Sequence, residues 1–133
     1  MGKGVWLVTA DERMRQDIRG LLQTLECEIV AIDPVRSNTG NPWEWSEASP
    51  DIVVLDIGED MDWGGQTMDA IHQGGHNVPL VVLTHSFSRE FGAKIIPRGM
   101  CYYFPRDFCP HEFLEVIRNL VERRASLGKD RIC

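Results

Sequence analysis

The chain has 133 residues, 43% of them hydrophobic and 26% charged, which fits one domain with a core of its own. Its formal net charge of -6 argues against a nucleic-acid or anionic-membrane surface, and no apolar run reaches the ~18 residues needed to span a bilayer. Asp11 and Glu12 follow Val5-Trp6-Leu7-Val8 too soon for a signal peptide, so a cytoplasmic location is expected.

The run Val5-Trp6-Leu7-Val8 predicts a strand buried on both faces. Asp11 stands where a helix N-cap belongs, and Met14, Ile18, Leu21, Leu22 and Leu25 recur at helical spacing behind it. Cys27 to Ile32 reads as a second strand, closed by Asp33-Pro34. Residues 35–49 are expected to be the poorest in regular structure, with room only for a short helix around Trp43 to Ala48. Their S-N-T-G-N stretch looks like the phosphate loop of flavodoxins, but that loop follows a first strand, whereas here two strands precede it. Trp43 and Trp45 either pack on the sheet or form an exposed partner patch.

Ile52 to Ile57 is the third strand, interrupted only by Asp56. A helix is predicted over Gln66 to Gln73, with Met68, Ile71 and His72 inward and Gly74-Gly75 closing it. Val78 to Leu83 is the fourth strand, with Thr84 at its end. A helix over 87–96 is stopped by Pro97 and Gly99, and Cys101 to Phe104 is the fifth strand. Pro110 opens a last helix with Phe113, Val116, Ile117, Leu120 and Val121 inward. Arg118, Arg123 and Arg124 on this helix form a solvated basic face. Cys27, Cys101, Cys109 and Cys133 show no metal-type spacing, so reduced thiols are expected.

Strands alternating with helices imply an α/β fold whose parallel sheet is covered on both faces. In such sheets chemistry sits beyond the carboxyl ends of the strands, where Thr9, Asp56, Thr84 and Pro105-Arg106 all fall.

The motifs resemble the receiver domain of bacterial response regulators over about residues 4–122. P-D-I-V-V-L-D-I, Pro50 to Ile57, carries an aspartate, Asp56, at the strand end where that family is phosphorylated. Gly64 after Met61-Asp62-Trp63 is similar to the family's M-D-G turn, and P-L-V-V-L-T is similar to its fourth strand with the terminal hydroxyl residue. G-M-C-Y-Y-F-P-R-D-F, Gly99 to Phe108, resembles G-A-x-x-Y-L-x-K-P-F, and Glu112-Phe113 matches the E-L of the last helix. The resemblance implies a CheY-like, flavodoxin-like doubly wound sheet of five parallel strands in the order 2-1-3-4-5. Residues 1–125 would form the domain, and 126–133 a tail or the start of a linker.

It also implies roles. Asp56 is the candidate phospho-acceptor, Thr84 and Arg106 the phosphoryl contacts, and Tyr103 the switch aromatic. The departures fall on the chemistry. Aligning Val8 and Arg15 with V-D-D-x-x-x-x-R puts Thr9 and Ala10 at the two acids that hold Mg²⁺ in the family. Asp56, a carbonyl near Gly58, and Asp11 or Glu12 from a rearranged loop are the ligands left for a metal. Arg106 replaces a lysine, while Asp107 and Asp60 replace prolines. Arg106 could either neutralise Asp56 or point to solvent, and His85 either narrows access to Asp56 or is exposed. His72, His76 and His111 have no partner at metal-binding spacing.

The expectation is therefore an atypical receiver with no catalytic turnover and no cofactor. It would act through a protein partner (an output domain, a sensor kinase or a second copy) and bind neither nucleic acid nor membrane. The partner face would carry Phe91, Ile95, Tyr103, His111 and Arg118. The alternative is a working receiver, phosphorylated on Asp56 by a histidine kinase with Mg²⁺ as cofactor. A metabolic enzyme on a flavodoxin-like frame is disfavoured, because no glycine loop cradles a phosphate after the first strand.

Overall fold

The structure is a computed structural model, and it describes residues 3–33, 50–73, 78–85, 89–95 and 100–126. Five strands, β1 (Lys3–Val8), β2 (Cys27–Ile32), β3 (Ile52–Gly58), β4 (Leu80–Thr84) and β5 (Met100–Pro105), alternate with four described helices. These are α1 (Glu12–Gln23), α2 (Met61–Gln73), α3 (Arg89–Ile95) and α4 (Pro110–Ser126). Every strand pair is parallel and the order is β2-β1-β3-β4-β5, as the motifs predict.

The continuous apolar runs explain this architecture. Side chains alternate across a strand, so a strand apolar at every position must be covered on both faces. Trp6, Val8, Val53, Leu55, Ile57, Leu80 and Val82 build one core with Met68 and Ile71 of α2. Val5, Leu7, Ile52, Val54, Val81 and Leu83 build the other with α1 and α4, through Ile18, Leu22, Phe113 and Ile117. The inward residues expected on α1 divide into a buried pair, Ile18 and Leu22, and a half-buried rim of Met14, Leu21 and Leu25. On α4, Val116 belongs to the rim and the other four expected positions are buried.

The strand ends depart from expectation by at most two residues, β4 starting at Leu80 and not at Val78, and one helix boundary departs by more. The helix predicted to start at Gln66 starts at Met61, so the Met61-Asp62-Trp63-Gly64 stretch is its first turn. Asp60 is the physical reason. Its Oδ1 accepts the Trp63 backbone N–H at 2.9 Å, which caps the helix and draws Met61 to Gly65 into it. Gly64, which reads as a turn in the sequence, serves close packing instead. A Cβ on Gly64 would lie 2.7 Å from Cγ2 of Ile57, so α2 approaches β3 closely only because the position is bare.

The expectations for residues 35–49, with Trp43 and Trp45, lie outside the described residues. So do those for Gly74-Gly75, His76, Pro97, Gly99, Cys133 and the tail from 127, together with the side chains of Phe91, Ile95, Cys101, Arg123 and Arg124. No helix among the described residues is long and apolar enough to cross a membrane.

Candidate functional site

The carboxyl ends of β1, β3, β4 and β5 meet along one edge of the sheet, and each delivers one polar side chain there. Main-chain bonds carry the ladder past the strand ends and fix the loops. Thr9 N–H donates to Ile32 O at 3.1 Å, His85 N–H to Gly58 O at 3.0 Å, and Arg106 N–H to Thr84 O at 3.1 Å. Gly58 closes β3 in the left-handed region at φ 58, beside a shift in the β3–β4 register, and this turns the chain away just after Asp56.

Asp56 lies at the centre of the edge, its side chain 5% exposed. A carboxylate so buried needs both donors and a counter-charge. Its Oδ2 accepts from the Thr9 hydroxyl at 2.6 Å and from Arg106 Nη2 at 3.1 Å, and its Oδ1 from Gly58 N–H at 3.3 Å. Arg106 Nη2 also donates to Asp11 Oδ2 at 2.6 Å, so a single guanidinium nitrogen bridges two carboxylates. Nη1 lies 3.3 Å from His85 Nε2, and the buried Nε has no hydrogen-bond partner among the described residues.

Packing holds Arg106 in place. Phe104 before it and Phe108 after it both stack or edge onto Phe113 of α4, with centroids 5.5 and 4.6 Å away, and meet each other at 6.0 Å. The β5–α4 loop is thus anchored on both sides of the guanidinium. Asp11 is held as firmly, because its Oδ1 caps α1 by accepting from Arg13 N–H and Met14 N–H at 3.0 and 3.1 Å. The Met14 N–H, followed by the hydrogen bond from Arg106, lowers the Asp11 carboxyl below its usual value of 3.8. A second arginine steadies the same loop: Arg15 Nη2 donates to Thr9 O at 3.0 Å and lies 3.4 Å from Asp33 Oδ2, while Nη1 pairs with Glu12.

Of the residues singled out in the sequence, Asp56, Arg106, Asp11 and Thr9 form one bonded cluster. Thr84 lies beside it, buried, with its hydroxyl donating to Gly58 O at 3.1 Å. His85 is exposed at the rim. Tyr103 pairs in register with Val82, whose side chain faces the α2 core, so Tyr103 lies on that side of β5, 41% exposed. Arg118 does not join it there. It lines a cleft with Thr24 to Cys27, on the side of α4 turned to the α1–β2 connection.

Two parts of the cluster are not apparent from the motifs. Thr9 counts in the motif as a missing acid, yet its hydroxyl is the shortest contact Asp56 has. Asp11 counts as a helix cap or a stray metal ligand, yet it shares the guanidinium with Asp56. The cue for both is compositional: an arginine in place of lysine on the facing loop, combined with the loss of acids from the β1 loop.

The donor set bears on the metal expectation. A hard divalent cation wants anionic oxygens and waters in octahedral array. Here a guanidinium nitrogen stands between the two carboxylates that could supply them, and Gly58 O already accepts from Thr84 and His85. Among the described residues, no group of three or more His, Cys, Asp or Glu side chains is placed to hold a metal ion. As arranged, these residues do not fit Mg²⁺.

Neither a family profile nor a curated protein matches the sequence. Solved structures do. A response regulator from Thermotoga maritima superposes with a TM-score of 0.77 at 12% identity, covering 92% of this chain and 99% of its own. A response regulator receiver domain protein from Clostridium thermocellum gives 0.74 at 16% identity over 94% and 98%. The fold is that of a receiver domain. A chemotaxis protein of Vibrio cholerae agrees, at 0.74 and 18% identity over 90% and 99%. At such identities the likeness concerns the receiver fold, and the site must be argued from its own residues.

Proposed function

We propose that this chain is a signal-transduction receiver domain of the two-component type, atypical in that its acceptor site is closed by an internal cation instead of Mg²⁺. The observation that carries this reading is Arg106 Nη2, 2.6 Å from Asp11 and 3.1 Å from Asp56. Phosphoryl transfer to a carboxylate brings two anions together, and a divalent metal offsets the repulsion. An arginine carries one charge that it does not lose, on a fork suited to carboxylates. It neutralises Asp56 in the resting state while blocking the oxygens that a metal would need. The Thr9 hydroxyl, in place of an acid, adds a donor where metal binding calls for another acceptor. On this reading the domain signals by contact with a protein partner such as an output domain, a sensor kinase or a second copy.

The second reading, a phospho-acceptor served by a histidine kinase, is favoured by one observation. Among the described residues, Asp56 Oδ1 is held only by the longer 3.3 Å contact with Gly58 N–H, and Thr84 stands beside it with its hydroxyl on the Gly58 carbonyl.

Mg²⁺ titration followed by tryptophan fluorescence, with and without beryllofluoride, separates the two. The atypical reading expects no saturable change in the native chain, negligible labelling by acetyl phosphate, and a gain of Mg²⁺ response in the Thr9→Asp, Ala10→Asp double variant. Tight Mg²⁺ binding with phosphate uptake at Asp56 in the native chain would establish the second reading instead.

A further inference from the structure

The amino-terminal edge of the sheet, remote from Asp56, carries a separate feature. The α1–β2 turn and α4 enclose a cleft of about 220 Å³, below the ~300 Å³ at which pockets for drug-sized molecules begin. Leu25 and Val121 supply apolar wall, and the polar groups include Glu26, Arg118 and Glu122.

Those three charges share the cleft without using one another. Arg118 and Glu122 stand four residues apart on one helix, the spacing at which opposite charges ordinarily meet. No ion pair among the described residues joins Arg118 to Glu122 or to Glu26. Thr24 has its hydroxyl proton committed, donating to Leu21 O at 2.7 Å. What the cleft presents is two carboxylates and one guanidinium, each open to a ligand, over a small apolar surface.

The backbone at Glu26 is the left-handed turn that ends α1, its N–H donating to Gln23 O at 3.2 Å. Glu26 holds φ 57, and it is the one non-glycine residue with positive φ among those described. A turn that needs the left-handed region is most cheaply made with glycine. A glutamate there keeps a carboxylate at the cleft at a conformational cost, the kind of local strain that collects at binding sites.

We propose that this cleft binds a free basic amino acid. Arg118 would take the α-carboxylate, while Glu26 and Glu122 take the α-ammonium and the side-chain cation. One anionic and two cationic groups on the ligand complement two anionic groups and one cationic group on the protein, and the ligand's aliphatic stem matches Leu25 and Val121.

The test is an amide-resolved NMR titration of the full chain with L-lysine, at matched ionic strength. Cadaverine, lacking the carboxylate, and 6-aminohexanoate, lacking the α-ammonium, are the controls. Lysine is expected to shift the amides of Thr24 to Cys27 and Arg118 to Glu122 with a Kd at or below about 1 mM, and each control to bind at least ~10-fold more weakly. Glu26→Gly removes the carboxylate yet accepts the backbone angle, so the variant should melt higher than the native chain while binding lysine ~10-fold more weakly. Arg118→Gln should no longer favour lysine over cadaverine. Equal binding of lysine and its controls, unchanged binding by Glu26→Gly, or no shift at these amides by about 10 mM lysine would overturn the proposal.

Discussion

At the scale of single residues, Asp11 makes the site's chemistry depend on pH. Its folded-state pKa lies below 3.8, so the stability it contributes is present above 3.8 and is lost as pH falls through the lowered value. Protonation removes the charge that Arg106 Nη2 meets at 2.6 Å and weakens the cap on α1 together with it. Asn is an N-cap as good as Asp but carries no charge. Asp11→Asn should therefore keep the helix and lose the acid dependence. Chemical denaturation between pH 6 and pH 3, taken as round limits about the usual carboxyl range, should show a shallower fall for the variant. Parallel falls would mean that Asp11 does not titrate against Arg106. None of this is legible from the motif, in which positions 9 and 10 appear only as lost acids. The compensation depends on which atoms meet across 95 residues of sequence, from Asp11 to Arg106.

Among the elements, the strands are easy to read and α2 is not. Uninterrupted apolar runs such as Ile52 to Leu55 suit a strand covered on both faces, and β2 falls on its predicted limits because Glu26 and Asp33 bracket a run broken only by the exposed Glu28. For α2 the sequence signal points the wrong way: Gly64-Gly65 has poor helix propensity, and tertiary packing overrides it. Gly64 is needed because Ile57 fills the space that any side chain would occupy. Gly64→Ala would gain in propensity but force a 2.7 Å contact, and overpacking of that kind costs about 1–3 kcal/mol. The net outcome expected from urea denaturation is a loss of stability, whereas Gly20→Ala on the open face of α1, with nothing within 4 Å, should gain up to ~1 kcal/mol. Gain at both positions would show that α2 is not pressed against β3.

On the scale of the whole molecule, the parallel sheet and both cores follow from the alternation of apolar runs and amphipathic helices, the strand order follows from the receiver resemblance, and the receiver fold accommodates all five motifs. The proposed partner surface is less unified than the motifs imply. Tyr103 is exposed on the α2 side of β5 and His111 is exposed near the start of α4, whereas Arg118 faces the cleft beside Cys27. Helix periodicity places a residue on a face only once the neighbour of that face is known, and α1 claims this one. If the domain associates through the β5 edge, Tyr103→Ala with His111→Ala should weaken association, while Gln16→Ala and Gln23→Ala on the exposed face of α1 leave it unchanged. Sedimentation velocity and partner pull-down report this; equal effects from the two pairs would move the surface elsewhere.

The central claim, that Arg106 supplies the counter-charge of Asp56 without metal, is tested most directly by a double-mutant cycle on stability in buffer containing EDTA. Removing Arg106 alone leaves a buried carboxylate, and breaking such a pair costs about 3–5 kcal/mol. Arg106→Ala should therefore be strongly destabilising, and Asp56→Asn in the same chain should recover much of the loss. A coupling of about 2 kcal/mol or more, unchanged when Mg²⁺ replaces EDTA, is the predicted result. A coupling near zero, or one that appears only with Mg²⁺, would contradict it.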